Sequence, residues 1–156
     1  RARGFGMRVV YHNRGAVDPA VEAALGVRRL PLAELLRTAD VVSLHCPLVP
    51  ETRHLVDAKA LAAMKPGAIL INTARGPVVD EAALADALRA GRLRAAGLDV
   101  YEGEPAVHPG LLALDNVVLL PHIGSATDTA RRAIVQMAVD NVVAYFDTGR
   151  PLHPVY

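Results

Sequence analysis

Charged and polar side chains follow each of the five strands that the sequence predicts, and these are the residues with which the chain could do chemistry. In chain order they are His12-Asn13-Arg14, Cys46-Pro47, Asn72-Thr73-Ala74-Arg75, Asp99 with Glu104, and His122-Ile123-Gly124-Ser125. In an open parallel sheet, ligands bind beyond the carboxyl ends of the strands. Arginine can bind a carboxylate through two parallel hydrogen bonds, and histidine exchanges a proton near neutral pH. The sequence therefore predicts a polar binding site at one rim of a sheet.

Five short runs rich in aliphatic residues predict the strands of that sheet. They are Met7–His12, Asp40–Cys46, Gly67–Asn72, Arg94–Val100 and Asn116–Pro121. Most of them are nearly continuous apolar runs. Because half-exposed strands alternate polar and apolar residues, such runs indicate strands that helices cover on both faces.

Helical stretches with recognisable ends separate these strands. They run from Asp18-Pro19 to Gly26, over Leu32–Ala39, from Asp57 to Met64, over Glu81–Ala90 and over about Thr127–Phe146. Asp80 is the expected N-cap of the fourth helix, and Ser125 with Asp128 a capping box for the last. Alternating strands and helices with short links predict an α/β fold with a doubly wound parallel sheet.

The composition excludes several other classes of protein. The chain has 156 residues, of which 52% are hydrophobic and 21% charged, with one cysteine and a formal net charge of +1. These values exclude a disordered chain and a disulfide scaffold. A nucleic-acid-binding domain would carry a basic stripe, and a membrane span would need about 18 consecutive apolar residues; the sequence shows neither pattern. We predict a cytoplasmic protein that binds neither nucleic acid nor membranes, and the single cysteine fits a reducing compartment.

Three motifs in the same order strongly resemble the D-isomer-specific 2-hydroxyacid dehydrogenases. They are Ile71-Asn72-Thr73-Ala74-Arg75-Gly76, Gly97-Leu98-Asp99-Val100-Tyr101-Glu102-x-Glu104-Pro105 and Leu120-Pro121-His122-Ile123-Gly124-Ser125. The stretches Ser43–Leu48 and Glu51–Leu55 also fit this family, so that the resemblance covers nearly the whole chain. It implies a Rossmann-like dinucleotide-binding domain and the transfer of a hydride between NAD(P)H and a small 2-oxo or 2-hydroxy acid.

The sequence departs from the family's pattern at its beginning. The family's domain opens with a strand and a G-x-G-x-x-G loop, whereas Gly4-Phe5-Gly6 precedes a predicted strand instead of a helix. We interpret Arg1–Arg3 as the last turn of the first helix, and the sequence as a piece cut inside it. Without the first strand, two neighbouring strands of the sheet would keep unpaired edges. Residues 1–149 would form an incomplete dinucleotide-binding domain, and residues 150–156 would return toward a substrate domain. The 156 residues alone are expected to be inactive.

The resemblance assigns catalytic roles to three residues and implies no metal ion. Arg75 would bind the carboxylate and the carbonyl oxygen of the substrate, which suits its planar guanidinium. His122 would be the general acid that protonates the carbonyl oxygen. Glu104 would be the carboxylate partner that raises the pKa of His122, and Glu102 would be a neighbouring carboxylate without this role.

The resemblance also implies a set of cofactor contacts. Asp99 would accept a hydrogen bond from the nicotinamide carboxamide, and the other residues would line the cofactor, partly through backbone groups. The full set comprises Asn13, Arg14, Cys46, Pro47, Thr52, Thr73, Ala74, Arg75, Asp99, His122, Gly124 and Ser125.

The residues after the first predicted strand bear on the choice of cofactor. Relatives that prefer NAD carry an acidic residue there, which binds the ribose 2′-hydroxyl. Here no Asp or Glu occurs before Asp18, and Arg14 could contact a 2′-phosphate. The sequence therefore favours NADP, with NAD as the alternative.

Within the family, Tyr11–Arg14 and Asn72–Arg75 most resemble the glyoxylate/hydroxypyruvate reductases, and this is the activity that we predict. D-3-phosphoglycerate dehydrogenase is the alternative with the same chemistry. A non-catalytic, dinucleotide-sensing binding protein, like the corepressors that share this scaffold, is the alternative of a different class. Family members are commonly homodimers joined through this domain, so we expect a homodimer.

Other catalytic constellations are not supported by the sequence. His45 and Cys46 are adjacent on a predicted strand, so their side chains point to opposite faces and cannot form a dyad. His54, His108 and His153 lack the spacing of metal ligands. Hydrolase and metalloenzyme functions are therefore disfavoured.

Overall fold

The structure is a computed structural model that describes residues 1–154. These residues form two parallel sheets and six α-helices. The chain divides into two units, Arg1–Leu119 and Leu120–Tyr156. Residues 155 and 156, which belong to the predicted segment 150–156, lie outside the described residues. The expected Rossmann-like α/β fold with parallel strands is confirmed.

The smaller sheet lies near the start of the first unit. A 3-10 turn over Ala2–Phe5 ends at Gly6, whose φ of 70° is left-handed, as expected for the end of a helix. The elements that follow are β1 (Val10–Tyr11), α1 (Pro19–Leu25) and β2 (Arg28–Arg29). β1 and β2 pair in parallel. β2 was not predicted, because two exposed arginines lack the apolar pattern of a strand.

The larger sheet brings the carboxyl ends of its strands to one rim. Its region comprises α2 (Leu32–Thr38), β3 (Val41–Leu44), α3 (Ala58–Ala63), β4 (Ile69–Asn72), α4 (Glu81–Arg89), β5 (Ala95–Leu98), α5 (Pro109–Leu112) and β6 (Val117–Leu119). The strand order is β3-β4-β5-β6, and all pairs are parallel. Leu44 is level with Asn72, and Asn72 with Leu98. Residues that directly follow β3, β4 and β5 therefore lie next to one another.

The core lies on one face of the larger sheet. Leu70 of β4 packs in one buried cluster with Leu61 of α3, Leu84 of α4 and Leu111 of α5. The apolar runs predicted burial on both faces, but in the described residues burial alternates along β3, β4 and β5, and Val118 of β6 is 62% exposed. An apolar run shows that a strand can be buried on both faces; it does not show which element covers each face.

β1 and β3 belong to separate sheets. β1 pairs with β2 and β3 pairs with β4, and among the described residues each has a second edge without a partner strand. Within residues 1–154 the two sheets therefore share no strand.

The second unit is dominated by one long helix, α6 (Asp128–Thr148). The Oγ1 atom of Thr127 accepts a hydrogen bond from the Ala130 amide at 3.2 Å, so Thr127 is the N-cap and the capping box predicted from Ser125 is wrong. Gly149, with φ of 76°, ends the helix. No helix within residues 1–154 combines the length and the apolar character needed to cross a membrane.

Candidate functional site

An open cleft of about 550 Å³ lies at the carboxyl ends of β3 and β4. We call it the rim cleft, and it is lined by His45, Cys46, Pro47, Leu48, Thr73, Ala74 and Arg75. The structure thus brings together five of the predicted site residues, and it adds His45 and Leu48. Another cavity, of about 630 Å³, lies between α3 and α4, and none of the predicted site residues lines it.

Asn72, the last residue of β4, fixes the backbone turn that carries Arg75. It is 1% exposed, and its side-chain oxygen accepts a hydrogen bond from the Ala74 amide at 3.0 Å. Its side-chain nitrogen donates to the carbonyl of Arg75, also at 3.0 Å. No role was predicted for Asn72, although asparagine often bonds the backbone two residues further on, and this preference could have indicated the turn.

Arg75 lies on the surface of the rim cleft. Its Nη1 atom donates to the Ala74 carbonyl at 2.7 Å. The other guanidinium N–H groups contact no protein acceptor among the described residues. Because guanidinium offers five donors in one plane, Arg75 keeps enough of them to bind a carboxylate through two parallel hydrogen bonds.

Gly76 allows two loops of the rim to touch. A Cβ atom at this position would lie 1.9 Å from the backbone carbon of Tyr101 and 2.0 Å from its carbonyl oxygen. No side chain fits in that space, so glycine is required. The contact places the Tyr101–Glu102 peptide directly against the turn of Arg75.

Replacing Gly76 with alanine should therefore lower the stability of the chain. The new methyl group meets backbone atoms, which cannot rotate away, and we expect a loss of about 3 kcal/mol, the upper end of the usual cost of overpacking. Urea unfolding measures this loss. Gly103→Ala is the matched control, because a Cβ atom at Gly103 meets nothing within 4 Å. Equal unfolding midpoints for the two variants would contradict the close contact.

The loop after β5 carries Asp99 and Glu104. Asp99 is 5% exposed, and its amide donates to the Asn72 carbonyl at 3.0 Å, which places it beside the β4 turn. Glu104 is exposed, and its Oε1 atom accepts a hydrogen bond from the Tyr101 amide at 3.0 Å. The Glu104–Pro105 peptide bond is cis. Both acidic residues are therefore held by the backbone that surrounds the rim.

His122, Gly124 and Ser125 belong to the second unit. His122 has φ of 54°, and within residues 1–154 the one other non-glycine residue with positive φ is His54, at 50°. Such a backbone costs on the order of 1–3 kcal/mol. Backbone strain of this kind is often found at functional residues, and the role of His122 stays a prediction.

Thr52 hydrogen-bonds the backbone of the loop that carries Pro47. Its hydroxyl donates to the Pro47 carbonyl at 2.7 Å and accepts from the Val49 amide at 2.9 Å. Thr52 does not line the cleft. These contacts make it a residue that fixes the Pro47 loop.

Arg29 fixes the loop of Asn13 and Arg14, which follows β1. Its Nη2 atom donates to the carbonyl oxygens of both residues at 2.8 Å. This contact was not predicted, because β2 itself was not predicted. With Arg14, the guanidinium of Arg29 adds a second positive charge to this end of the smaller sheet.

Glu81, the first residue of α4, is a buried acid close to the β5 loop. Burial is the main cause that raises its pKa, and the carboxylate of Glu102 raises it further. The backbone N–H groups of Glu102 and His108 act in the opposite direction. A raised pKa means that ionisation of Glu81 costs stability, and this cost appears as the pH rises above the ordinary range for glutamate.

The chain belongs to the D-isomer specific 2-hydroxyacid dehydrogenases. The model of this family's NAD binding domain matches residues 1–124. The resemblance found in the sequence motifs is therefore confirmed.

Several relatives within the family are glyoxylate reductases. The chain is 51% identical over 145 residues to the glyoxylate reductase of Thermococcus onnurineus, an alignment that covers 93% of this chain and 43% of that protein. The glyoxylate reductase of Paecilomyes thermophila superposes with a TM-score of 0.92 at 42% identity, covering 99% of this chain and 46% of that one. The NADPH-dependent glyoxylate/hydroxypyruvate reductase of Sinorhizobium meliloti, in complex with NADP and malonate, also has a TM-score of 0.92, at 40% identity and 99% and 47% coverage. The chain thus spans less than half of each of these relatives.

The rim cleft fits part of a nicotinamide dinucleotide. Its volume falls within the usual range for small-ligand sites, roughly 300–1,000 Å³. Pro47, Thr73 and Ala74 present backbone and small side chains to it. The flat nicotinamide ring can approach such a surface closely. The buried Asp99 follows β5, the strand next to β4.

Proposed function

We propose that a protein carrying this chain reduces a small 2-oxo acid, glyoxylate or hydroxypyruvate, with NADPH. The observation that carries this proposal is the guanidinium of Arg75 at the rim cleft, on a backbone turn that the buried Asn72 holds. A cationic planar group beside a cleft of small side chains suits a substrate that has a carboxylate next to a carbonyl. The bound cofactor supplies a hydride to the carbonyl carbon.

The chain's own residues bind the substrate and move the proton. Arg75 contacts the carboxylate and the carbonyl oxygen, so it orients the substrate and stabilises negative charge on that oxygen. His122 donates the proton that turns the oxygen into a hydroxyl group. Glu104 stabilises the protonated imidazole, and Asp99 accepts a hydrogen bond from the carboxamide of the cofactor.

A full-length chimera allows this activity to be measured. In it, the chain replaces the matching segment of the Thermococcus onnurineus glyoxylate reductase. Steady-state kinetics with glyoxylate, hydroxypyruvate and 3-phosphohydroxypyruvate compare the proposal with its alternatives. We expect the first two substrates to have the higher kcat/KM. Preference for the phosphorylated acid would favour the phosphoglycerate dehydrogenase reaction, and NADPH binding without turnover would favour a dinucleotide sensor.

The finer preference for NADP over NAD rests on Arg14. In the chimera, Arg14→Asp removes a positive charge from the 2′-phosphate and offers the ribose hydroxyl an acceptor. The NADPH/NADH ratio of kcat/KM should fall by about tenfold or more, the usual value of a hydrogen bond to a charged group. Arg37→Asp, on the exposed face of α2, controls for the change of charge. A ratio equal to that of the unsubstituted chimera would exclude Arg14 from cofactor recognition.

Residues 1–149 would be the dinucleotide-binding part of this protein, and residues 150–156 would lead toward a substrate domain.

We also propose a homodimer, which is supported by the apolar residues exposed along α6, such as Phe146 at 82%. The free thiol of Cys46 is compatible with a reducing compartment such as the cytoplasm. Analytical ultracentrifugation of the chimera measures the oligomeric state.

The 156-residue chain by itself should bind NADPH poorly and be inactive. Arg14 lies on the smaller sheet and the rim cleft on the larger one, and within residues 1–154 no strand pairs the two. The sequence also contains no glycine-rich loop whose amides could bind the pyrophosphate. Calorimetric titration should therefore show no binding tighter than about 1 mM, some −4 kcal/mol. A micromolar dissociation constant would disprove this expectation.

A further inference from the structure

We propose that Glu102 is a positioning residue, which orients both Glu104 and the turn of Arg75. It acts through a group of three side chains, His54, Glu81 and Glu102, which we call the Glu102 cluster. This inference rests on the proposed function, because the orientation of Glu104 matters to catalysis only if Glu104 supports a general acid.

Glu102 and Glu81 bind each other's backbone reciprocally. The amide of Glu102 donates to Oε1 of Glu81 at 2.7 Å, and the amide of Glu81 donates to Oε2 of Glu102 at 3.3 Å. The pair thereby joins the β5 loop to the first turn of α4.

His54 is the third member of the Glu102 cluster. Its Nε2 atom lies 2.6 Å from Oε1 of Glu102, and its amide donates to the Pro77 carbonyl at 2.8 Å. The φ of 50° at His54 is left-handed. A backbone of this kind persists only where surrounding contacts impose it. Glu102 is therefore held from two separate segments of the chain.

Capping of α4 does not explain this arrangement. Asp80 already caps the helix, because its Oδ1 atom accepts a hydrogen bond from the Ala83 amide at 2.9 Å. Glu81 adds a second carboxylate whose pKa is raised mainly by burial. A buried acid lowers stability unless its contacts compensate, and the contact that Glu81 makes with the Glu102 amide fixes the β5 loop.

The backbone beside the Glu102 cluster contacts Glu104 and the residue that follows Arg75. The Tyr101 amide, one residue before Glu102, donates to Oε1 of Glu104 at 3.0 Å. The next peptide, Tyr101–Glu102, lies against Gly76, where a Cβ atom would approach the Glu102 nitrogen to 2.4 Å. A shift of the backbone at residues 101 and 102 would therefore move the Glu104 carboxylate and the Arg75 turn together.

Two substitutions and one control test this proposal. Glu102→Ala removes the carboxylate, and Glu102→Gln keeps an oxygen that can accept from the Glu81 amide. Glu34→Ala, at a half-buried acid of α2, is the control. Urea unfolding of each variant shows whether it is folded under the assay conditions.

Kinetics in the chimera give the first readout. Glu102→Ala should lower kcat about tenfold, as the loss of a hydrogen bond to a charged group would, with the KM for NADPH unchanged. Glu102→Gln should remain within about threefold of the unsubstituted chimera. An unchanged kcat in a folded Glu102→Ala protein would overturn the proposal.

Amide hydrogen exchange in the 156-residue chain gives a readout that does not depend on activity. Exchange at the Tyr101 and Glu102 amides should be faster in Glu102→Ala than in the unsubstituted chain or in Glu34→Ala. Equal rates would overturn the positioning role even if the chimera proved inactive. Faster exchange in the Glu102→Ala chain, together with a chimera that does not reduce glyoxylate, would support the positioning of the loop and reject the proposed function.

Discussion

Replacement of Arg75 by lysine is expected to lower kcat/KM for glyoxylate in the chimera by between about 30-fold and several thousandfold. This range corresponds to the 2–5 kcal/mol, roughly, that is lost when one partner of a desolvated charge pair is removed. Lysine keeps the charge but offers a point contact in place of two parallel hydrogen bonds. The lysine ammonium also cannot keep the contact that Nη1 makes with the Ala74 carbonyl and, at the same time, bind both substrate oxygens in one plane.

Arg37→Lys, at an exposed position on α2, is the matched control for Arg75→Lys. The KM for NADPH should stay unchanged in both variants, because the expected loss concerns the substrate. An Arg75→Lys enzyme with unaltered kcat/KM for glyoxylate would show that Arg75 does not bind the 2-oxo acid.

Replacement of His122 by alanine should lower kcat by about 10²–10⁴, the usual contribution of a positioned general acid. Cofactor affinity should be nearly kept, because the main role of His122 is proton donation. Pre-steady-state and steady-state NADPH oxidation in the chimera measure both quantities. His153→Ala, an exposed histidine of the same unit, controls for the loss of an imidazole. A decrease of less than about fivefold would remove His122 from the mechanism.

Sequence patterns predicted the elements with strong local signals. Asp18, Asp57 and Asp80 each begin a helix, and each accepts a hydrogen bond from a backbone amide of the first turn. Short aspartate side chains that precede helical stretches have this preference wherever they occur. The elements that were missed, β2 and α5, contain two and four residues, too few for any periodicity to appear.

The rim cleft was predictable because parallel strands align their carboxyl ends. Cys46 and Thr73 are distant in the chain, but each directly follows a strand region, and the register of β3 with β4 brings them together. Gly76 and Glu102 were not predicted. Their roles depend on the approach of one loop to another, and no local pattern in the sequence encodes that distance.

Deuterium transfer from NADPH to glyoxylate is the decisive measurement for the proposed reduction. The chimera is incubated with glyoxylate and with NADPH that carries deuterium at its transferable position, and the 2-hydroxy acid product is analysed by mass spectrometry. We predict glycolate with one deuterium on its carbinol carbon, formed in amounts equal to the NADPH consumed. Glyoxylate that remains unreduced in the presence of NADPH, or glycolate without deuterium, would contradict it.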